Sequence, residues 1–238
     1  MIDFENMTEI SELSVFFPTY NEEKNIKRVV ESAKNVLEKV TNKWEIIIVN
    51  DGSHDGTKKV AENLAKNDKR IRVVNHEVNK GYGGALKTGF KSSKYSWVAF
   101  TDSDGQFNFS EINKFIEHQN HADVILGYRL KRADSFMRKV FTYVWGLLPI
   151  LLWNLNVRDY SCGFKLIKKK VFNEIQPLIG EEKVTQIEML IKAKKAGFRF
   201  EEVGVNHYPR EFGKQTGANL KVVVRSVFDL IKLWQLLK

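Results

Sequence analysis

One cysteine stands in the 238 residues. Cys162 has no partner for a disulfide within the chain, which excludes a stapled scaffold and suits a reducing compartment. Internal repeats and low-complexity linkers are absent. The opening stretch MIDFENMTEISEL lacks a basic start and an apolar centre, so it does not read as a secretory signal. No apolar run is long enough for a bilayer. The longest candidate, within residues 140–155, reads FTYVWGLLPILLWNL, about 15 residues with Pro149 inside it, where a spanning helix needs roughly 20. That run is expected to be a buried or interfacial helix. Acidic residues are also in deficit: 29 Asp and Glu face 38 Lys and Arg, for a formal net charge of +9. Such a surplus favours anionic partners (nucleic acid, phosphorylated substrates, acidic lipid) or is a merely soluble basic surface.

What is present is an ordinary folded composition, 43% hydrophobic and 28% charged, in a chain long enough for a core that needs no staples. The first half alternates apolar strands with helical patterns. LSVFFP is a short apolar run at 13–18, Asn21 and Glu22 open a helical stretch to about Val40, and WEIIIVN at 44–50 is a β-branched run of the kind buried on both faces. Helix is expected at 57–66, strand at 71–76, helix at 84–92 and strand at 95–102. Strands alternating with helices predict an α/β fold around a mostly parallel sheet with right-handed crossovers. The second half is less regular: helix at 111–120, strand at 122–129, an apolar helical pattern at 135–153 that Pro149 should kink or end, a short strand CGFKLI, helix at 184–196 and strand at 200–205. From 219 to 237, Leu220, Val223, Val224, Val227, Leu230, Ile231, Trp234 and Leu237 recur at helical spacing.

In parallel α/β sheets ligands bind beyond the C-terminal strand ends, so the polar residues after each strand form one set. Asp102-Ser103-Asp104-Gly105-Gln106 follows the fourth strand. Two carboxylates one residue apart can converge on a hard cation, and Mg²⁺ or Mn²⁺ shares such oxygens with substrate phosphates. The bare tripeptide D-x-D is a weak signal, equally a solvated loop. The second strand ends in Asp51-Gly52-Ser53-His54-Asp55-Gly56-Thr57: Asp55 is expected to cap the next helix, and Asp51 can accept hydrogen bonds from a nucleobase. Pro18-Thr19-Tyr20-Asn21-Glu22 ends the first strand, and Asn79-Lys80-Gly81-Tyr82-Gly83-Gly84 follows the third. Those glycines allow close backbone approach, but Leu86 stands where the dinucleotide pattern G-x-G-x-x-G needs its third glycine, which argues against a nicotinamide or flavin site.

Taken in order, PTYNE, DGSHDGT, NKGYGG and DSDGQ resemble the family 2 glycosyltransferases, and among them the dolichol-phosphate mannose synthase-like group, over roughly residues 12–215. The resemblance implies a GT-A fold, Rossmann-like with helices on both faces, in a domain of residues 12–215 between an extension at 1–11 and an amphipathic helix at 216–238. It implies inverting, metal-dependent transfer of a hexose from a nucleoside diphosphate sugar, of the GDP-mannose or UDP-glucose type, to a dolichyl- or undecaprenyl-like phosphate. Pro18, Tyr20, Glu22, Lys80, Gly81 and Ser103 would line the donor pocket, Asp51 would hold the base, and Asp102 would face the sugar nucleotide. Asp102, Asp104 and Gln106 would hold Mg²⁺ or Mn²⁺ and the diphosphate. Gly127-Tyr128-Arg129, the segment DYSCGFK at 159–165 and HYPREFGK at 207–214 resemble further segments of that group. There Arg129 and Arg210, with Arg138, would take the phosphates, to which guanidinium forks are suited; a single arginine also reads as a surface charge, except Arg210, which stands between Pro209 and Gly213 in a loop the pattern singles out. With Asp102 and Asp104, Arg129 and Arg210 complete the catalytic set.

One departure bears on the acceptor. Q-x-x-R-W, carried by many relatives with sugar acceptors, is missing. A phosphate acceptor is already ionised near neutral pH and needs no base. The rival is a sugar or glycan acceptor with Glu188 as base, although Glu188 also reads as a helix-surface carboxylate. A non-catalytic nucleotide-sugar or lipid-binding subunit is the alternative of another class, against which both carboxylates of D-x-D argue. No nucleic-acid motif is found, and the basic residues are scattered. For a lipid acceptor the chain should offer apolar surface beside basic residues. Residues 136–153, with Tyr143, Trp145 and Trp153, fit an interface; the C-terminal helix fits either an interface or ordinary packing. The expected location is the cytoplasmic face of a membrane, as a peripheral protein that binds transiently or borrows an anchor from a membrane-bound partner.

Overall fold

The computed structural model describes residues 9–130, 149–182, 184–213, 229–230 and 232–235. Expectations for Arg138, the aromatic residues Tyr143 and Trp145, Lys214 and most of the C-terminal helix lie outside these residues.

Seven strands form one sheet in the order β3-β2-β1-β4-β6-β5-β7. They are β1 (Leu13–Thr19), β2 (Trp44–Asn50), β3 (Ile71–Asn75), β4 (Trp97–Phe100), β5 (Val124–Arg129), β6 (Lys165–Lys168) and β7 (Phe200–Val205). β1 pairs parallel with β2 and β4, β2 with β3, and β5 with β7, whereas β6 runs antiparallel between β4 and β5. Six strands therefore point one way, and β6 alone is reversed.

β1 and β2 are buried along their whole length, as strands covered on both faces should be. Their side chains alternate between two cores. Val15, Phe17, Ile46 and Ile48 join one with α1 (Ile26–Val40), α2 (Thr57–Asn67) and α4 (Ile112–Ile116). Phe16, Ile47 and Val49 join the other with α3 (Gly81–Ser92), α5 (Lys169–Glu174) and α6 (Val184–Lys195). Period-two alternation in the strands thus sorts the helices to opposite faces. α1 meets its core through Ile26, Val30, Ala33 and Leu37, an i, i+3/i+4 stripe.

Several boundaries differ from expectation. α1 starts at Ile26, not at 21. Asn21 has φ +55 and its N–H goes to Ser53 Oγ, while the Glu22 N–H goes to Thr57 Oγ1, so the β2–α2 loop ties 21–22 into a turn. α3 starts three residues early, at Gly81. The helix expected at 111–120 is a 3₁₀ turn, Phe109–Glu111, running into the short α4; Asn108 caps it by accepting from the Ser110 N–H. Residues 149–153 are helical and include Pro149, with Leu151 76% exposed. Leu230 and Leu233 are buried in the core shared with α3 and α6, so this part of the C-terminal segment packs inward.

Glu188 is not a surface carboxylate. It is fully buried in α6, accepts from the backbone N–H of Ile179 and Gly180, and pairs with Lys192 at 2.7 Å. Its job is to fold the segment before α6 back onto the helix. Glu188→Gln is expected to cost about 1–3 kcal/mol, the range for losing charge-assisted bonds in a buried site, read by denaturant unfolding. Transfer per folded molecule should stay close to wild type; a large loss of turnover without loss of stability would instead make Glu188 the base of a sugar acceptor.

Candidate active site

Because six strands run parallel, the loops after β1, β2, β3, β4, β5 and β7 emerge on one edge. Since β6 is reversed, the segment entering it, residues 159–164, reaches the same edge. The described residues of the polar segments that end or follow these strands therefore converge there.

The centre is acidic. Asp102 Oδ1 accepts from the Tyr82 hydroxyl at 2.9 Å. Gly163 backs the same carboxylate so closely that a Cβ on it would lie 2.2 Å from Asp102 Oδ2. Asp104 Oδ1 accepts from the Gln106 N–H at 3.0 Å, and its Oδ2 lies 3.6 Å from Arg210 Nη1. Arg210 also donates to Glu22 Oε1 at 2.5 Å, and Glu22 Oε2 accepts from Asn25. Burial, then the neighbouring Asp102, pushes the Asp104 carboxyl up to about 7. Burial also raises Glu22 above the usual carboxylate range, and raises the Tyr82 phenol, with Asp102 adding to the latter. The site thus gathers three carboxyl groups, Asp102, Asp104 and Glu22, around Arg210, and burial disfavours charge on Asp104 and Glu22, a setting that suits a divalent ion. Among the described residues no group of three or more His, Cys, Asp or Glu could hold a metal alone. Two carboxylates are what Mg²⁺ uses when substrate phosphates complete its shell, so the donor set fits an ion shared with a diphosphate.

The Asp104 shift has a measurable sign. Its usual value is 3.8, so between about 4 and 7 the folded protein holds a proton that the unfolded chain releases. Stability tied to this group is present below about 4 and is lost as pH rises through about 7. In metal-free protein, thermal unfolding followed from pH 4 to 8 should show wild type losing ground to Asp104→Asn over that window. A constant gap between the two would contradict the shift.

Around this centre the other expected residues take definite places. Ser103 Oγ donates to Pro18 O at 2.9 Å, fastening the β4 loop to the end of β1. Gln106 exchanges two bonds with Tyr208, side-chain Nε2 to O at 2.8 Å and Tyr208 N–H to O at 2.9 Å, so it straps residues 206–213 across the edge. Tyr20 meets His54 edge to face. Asp51 is buried; its Oδ1 lies 2.6 Å from His76 Nδ1 and accepts from the Lys80 N–H at 2.8 Å. Gly81, at φ +74, lets the chain turn into α3 at that point. Asp55 Oδ1 accepts from the Thr57 N–H at the start of α2, but the cap position itself falls to Gly56, one residue later than expected.

Arg129 is tied down. Its Nε and Nη2 meet Asp159 at 2.7 and 3.0 Å, and Nη2 meets Ser161 Oγ at 3.0 Å. The DYSCGFK segment therefore acts on its surroundings piece by piece: Asp159 and Ser161 orient Arg129, and Gly163 makes room for Asp102. Lys165, fully buried, donates to Cys162 O and Gln186 Oε1, and burial lowers it to about 8. Sequence reasoning missed Tyr82, His76 and Lys165 as parts of the site; only the motif spacing around Tyr82 and Lys165 carried a signal.

Comparison with known proteins places the family and the fold. The model of "Glycosyl transferase family 2" matches residues 14–176. Dolichyl-phosphate beta-glucosyltransferase of Mus musculus is 31% identical over 216 residues, covering 82% of this chain and 67% of that protein. The enzyme of the same name from Trichomonas vaginalis is 29% identical over 242 residues, covering 93% of this chain and 72% of the relative. Dodecaprenyl-phosphate galacturonate synthase of Rhizobium johnstonii is 27% identical over 93% of this chain and 66% of its own length. Among solved structures, glucosyl-3-phosphoglycerate synthase from Mycobacterium tuberculosis, in complex with Mn²⁺, uridine diphosphate and glucosyl-3-phosphoglycerate, superposes with a TM-score of 0.74 at 19% identity, over 94% of this chain and 80% of that one. That likeness concerns the fold, a GT-A sheet.

Proposed function

This chain belongs to glycosyl transferase family 2, and from that membership we propose that it moves a hexose from a nucleoside diphosphate sugar to a polyprenyl phosphate, with inversion at the anomeric carbon. The observation that carries the reading is the juxtaposition of Asp102, Asp104, Glu22 and Arg210 at the strand-end edge. The acceptor class is supported by relatives named for dolichyl phosphate and dodecaprenyl phosphate.

Asp51 would accept from the base, and Pro18, Tyr20, Glu22, Lys80 and Gly81 would line the nucleotide. A divalent ion, Mg²⁺ or Mn²⁺, held by Asp102 and Asp104, with Gln106 beside them, would act as a Lewis acid on the departing diphosphate. Arg210 is already poised between Glu22 and Asp104 and can turn a guanidinium fork to a phosphate. Arg129, oriented by Asp159 and Ser161, would steer the acceptor phosphate towards the anomeric carbon. That phosphate attacks as the anion, so the residues have only to position it and offset charge. The burial of Glu188 against backbone N–H groups supports this choice over a sugar acceptor.

Among the described residues no helix is long and apolar enough to cross a membrane. Ile150, Leu151 and Leu152 are exposed on the helical segment 149–153 and support a peripheral contact with the bilayer that holds the acceptor, on its cytoplasmic face. The test is transfer of radiolabelled sugar from a panel of GDP and UDP sugars to polyprenyl phosphate, with folded protein and Mn²⁺. A lipid-linked product is expected; donor binding with neither transfer nor hydrolysis would make the chain a binding subunit.

A further inference from the structure

Behind the proposed donor site, a chain of side chains runs from Asp51 through His76 to Thr88. His76 follows β3, and its backbone N–H donates to Asn50 O at 2.9 Å, which sets the ring beside the end of β2. Its Nδ1 lies 2.6 Å from Asp51 Oδ1, and its Nε2 lies 2.9 Å from Thr88 Oγ1 on α3. An ionised carboxylate only accepts, so Nδ1 is the donor to Asp51. The Lys80 N–H donates to the same oxygen at 2.8 Å. Both donors fall on Oδ1; among the described residues none donates to Oδ2. The Asp51 backbone is fixed as well, its N–H to Thr19 O at 2.9 Å and its O to the Asn79 amide at 3.0 Å.

We infer that His76 is a positioning residue for the nucleobase: with Lys80 it clamps Asp51 Oδ1 and leaves Oδ2 to take a single N–H of the base. Uracil offers one such group, its imide N–H. Guanine offers two side by side, the ring N–H and the exocyclic amino group, which suit a carboxylate with both oxygens free. The clamp therefore favours a uridine over a guanosine diphosphate sugar. Thr88 acts one link further out by fixing the ring plane, as outer hydrogen-bond partners commonly do for a histidine. The inference rests on the proposal that Asp51 receives the base.

Calorimetric titration of UDP and of GDP, each with Mn²⁺, tests it on wild type and on Asp51→Asn, His76→Ala, His76→Asn and Thr88→Val. Wild type should bind UDP at least about tenfold more tightly than GDP, and His76→Ala should weaken UDP by about tenfold, the scale of one charge-assisted bond. His76→Asn keeps a donor N–H near the Nδ1 position and should recover part of that loss. In steady-state transfer the His76→Ala defect should fall on the donor's KM more than on kcat, a split that a general loss of structure does not produce. Should His76→Ala fail to fold, Thr88→Val, which leaves Asp51 untouched, should give the same direction of change at smaller size. Loss of UDP binding in Asp51→Asn with no change in any His76 or Thr88 variant overturns the inference and leaves the base assignment standing. A wild-type preference for GDP overturns the single-donor argument. Undiminished UDP binding by Asp51→Asn, or no binding of either nucleotide to wild type, overturns the base assignment and the inference with it.

Discussion

Asp104→Asn is expected to lower transfer by roughly 10³-fold, the loss typical when a preorganised electrostatic group is removed, from a protein that still folds. The two halves of that expectation have one cause. Asp104 is held among Asp102, Glu22 and Arg210 in a site that burial makes costly for an anion, and its carboxyl is pushed up to about 7. A side chain that its surroundings disfavour in ionised form is not kept for stability, so a neutral isostere should unfold no more easily than wild type at pH 7. The same substitution removes one of two carboxylates proposed to share a cation with the diphosphate. Turnover measured beside a melting curve checks both halves; wild-type turnover, or collapse of the fold, would contradict the assignment.

Gly163→Ala should cost about 10²-fold in turnover although the residue has no side chain to lose. The added Cβ would lie 2.2 Å from Asp102 Oδ2, 2.5 Å from its Cγ and 2.6 Å from Oδ1. The carboxylate cannot simply swing away, because Tyr82 holds Oδ1 at 2.9 Å. A displacement of about 1 Å in a positioned group is enough for a loss of that size. Overpacking should add a stability cost of about 1–3 kcal/mol. The check is turnover per folded molecule together with the Mn²⁺ dependence of nucleotide binding, both of which should worsen. Unchanged values would mean that the DYSCGFK segment does not set Asp102.

How far the sequence reveals this site follows from the range of the interactions. β1 and β2 were readable because a strand covered on both faces must be apolar throughout, and WEIIIVN leaves little else to form. The edge was readable for the same reason: alternating strands and helices force a parallel sheet, and a parallel sheet brings its strand ends together. The reversal of β6 was not readable, since the short strand Lys165–Lys168 carries no local mark of direction and pairs with β4 and β5 only in the finished sheet. Glu188 was misread because α6 is buried almost all round, from Val184 to Ile191, which leaves no polar stripe to tell a surface carboxylate from a buried one. His76 gave no signal, and Tyr82 only its place within NKGYGG. Each acts on an aspartate 25 or 20 residues away, and only the fold makes them neighbours. The four loops were visible as a set, while the arginines were not resolved: one is held by Asp159, the other bridges Glu22 and Asp104.

The most direct measurement of the whole account is the affinity of UDP or GDP, whichever binds the more tightly, with Mn²⁺ and again with a chelator, for wild type, Asp102→Asn and Asp104→Asn. The account predicts that Mn²⁺ tightens binding to wild type by about tenfold or more, and that each substitution abolishes most of that gain. Equal affinity with chelator, or a gain that survives both substitutions, would contradict it.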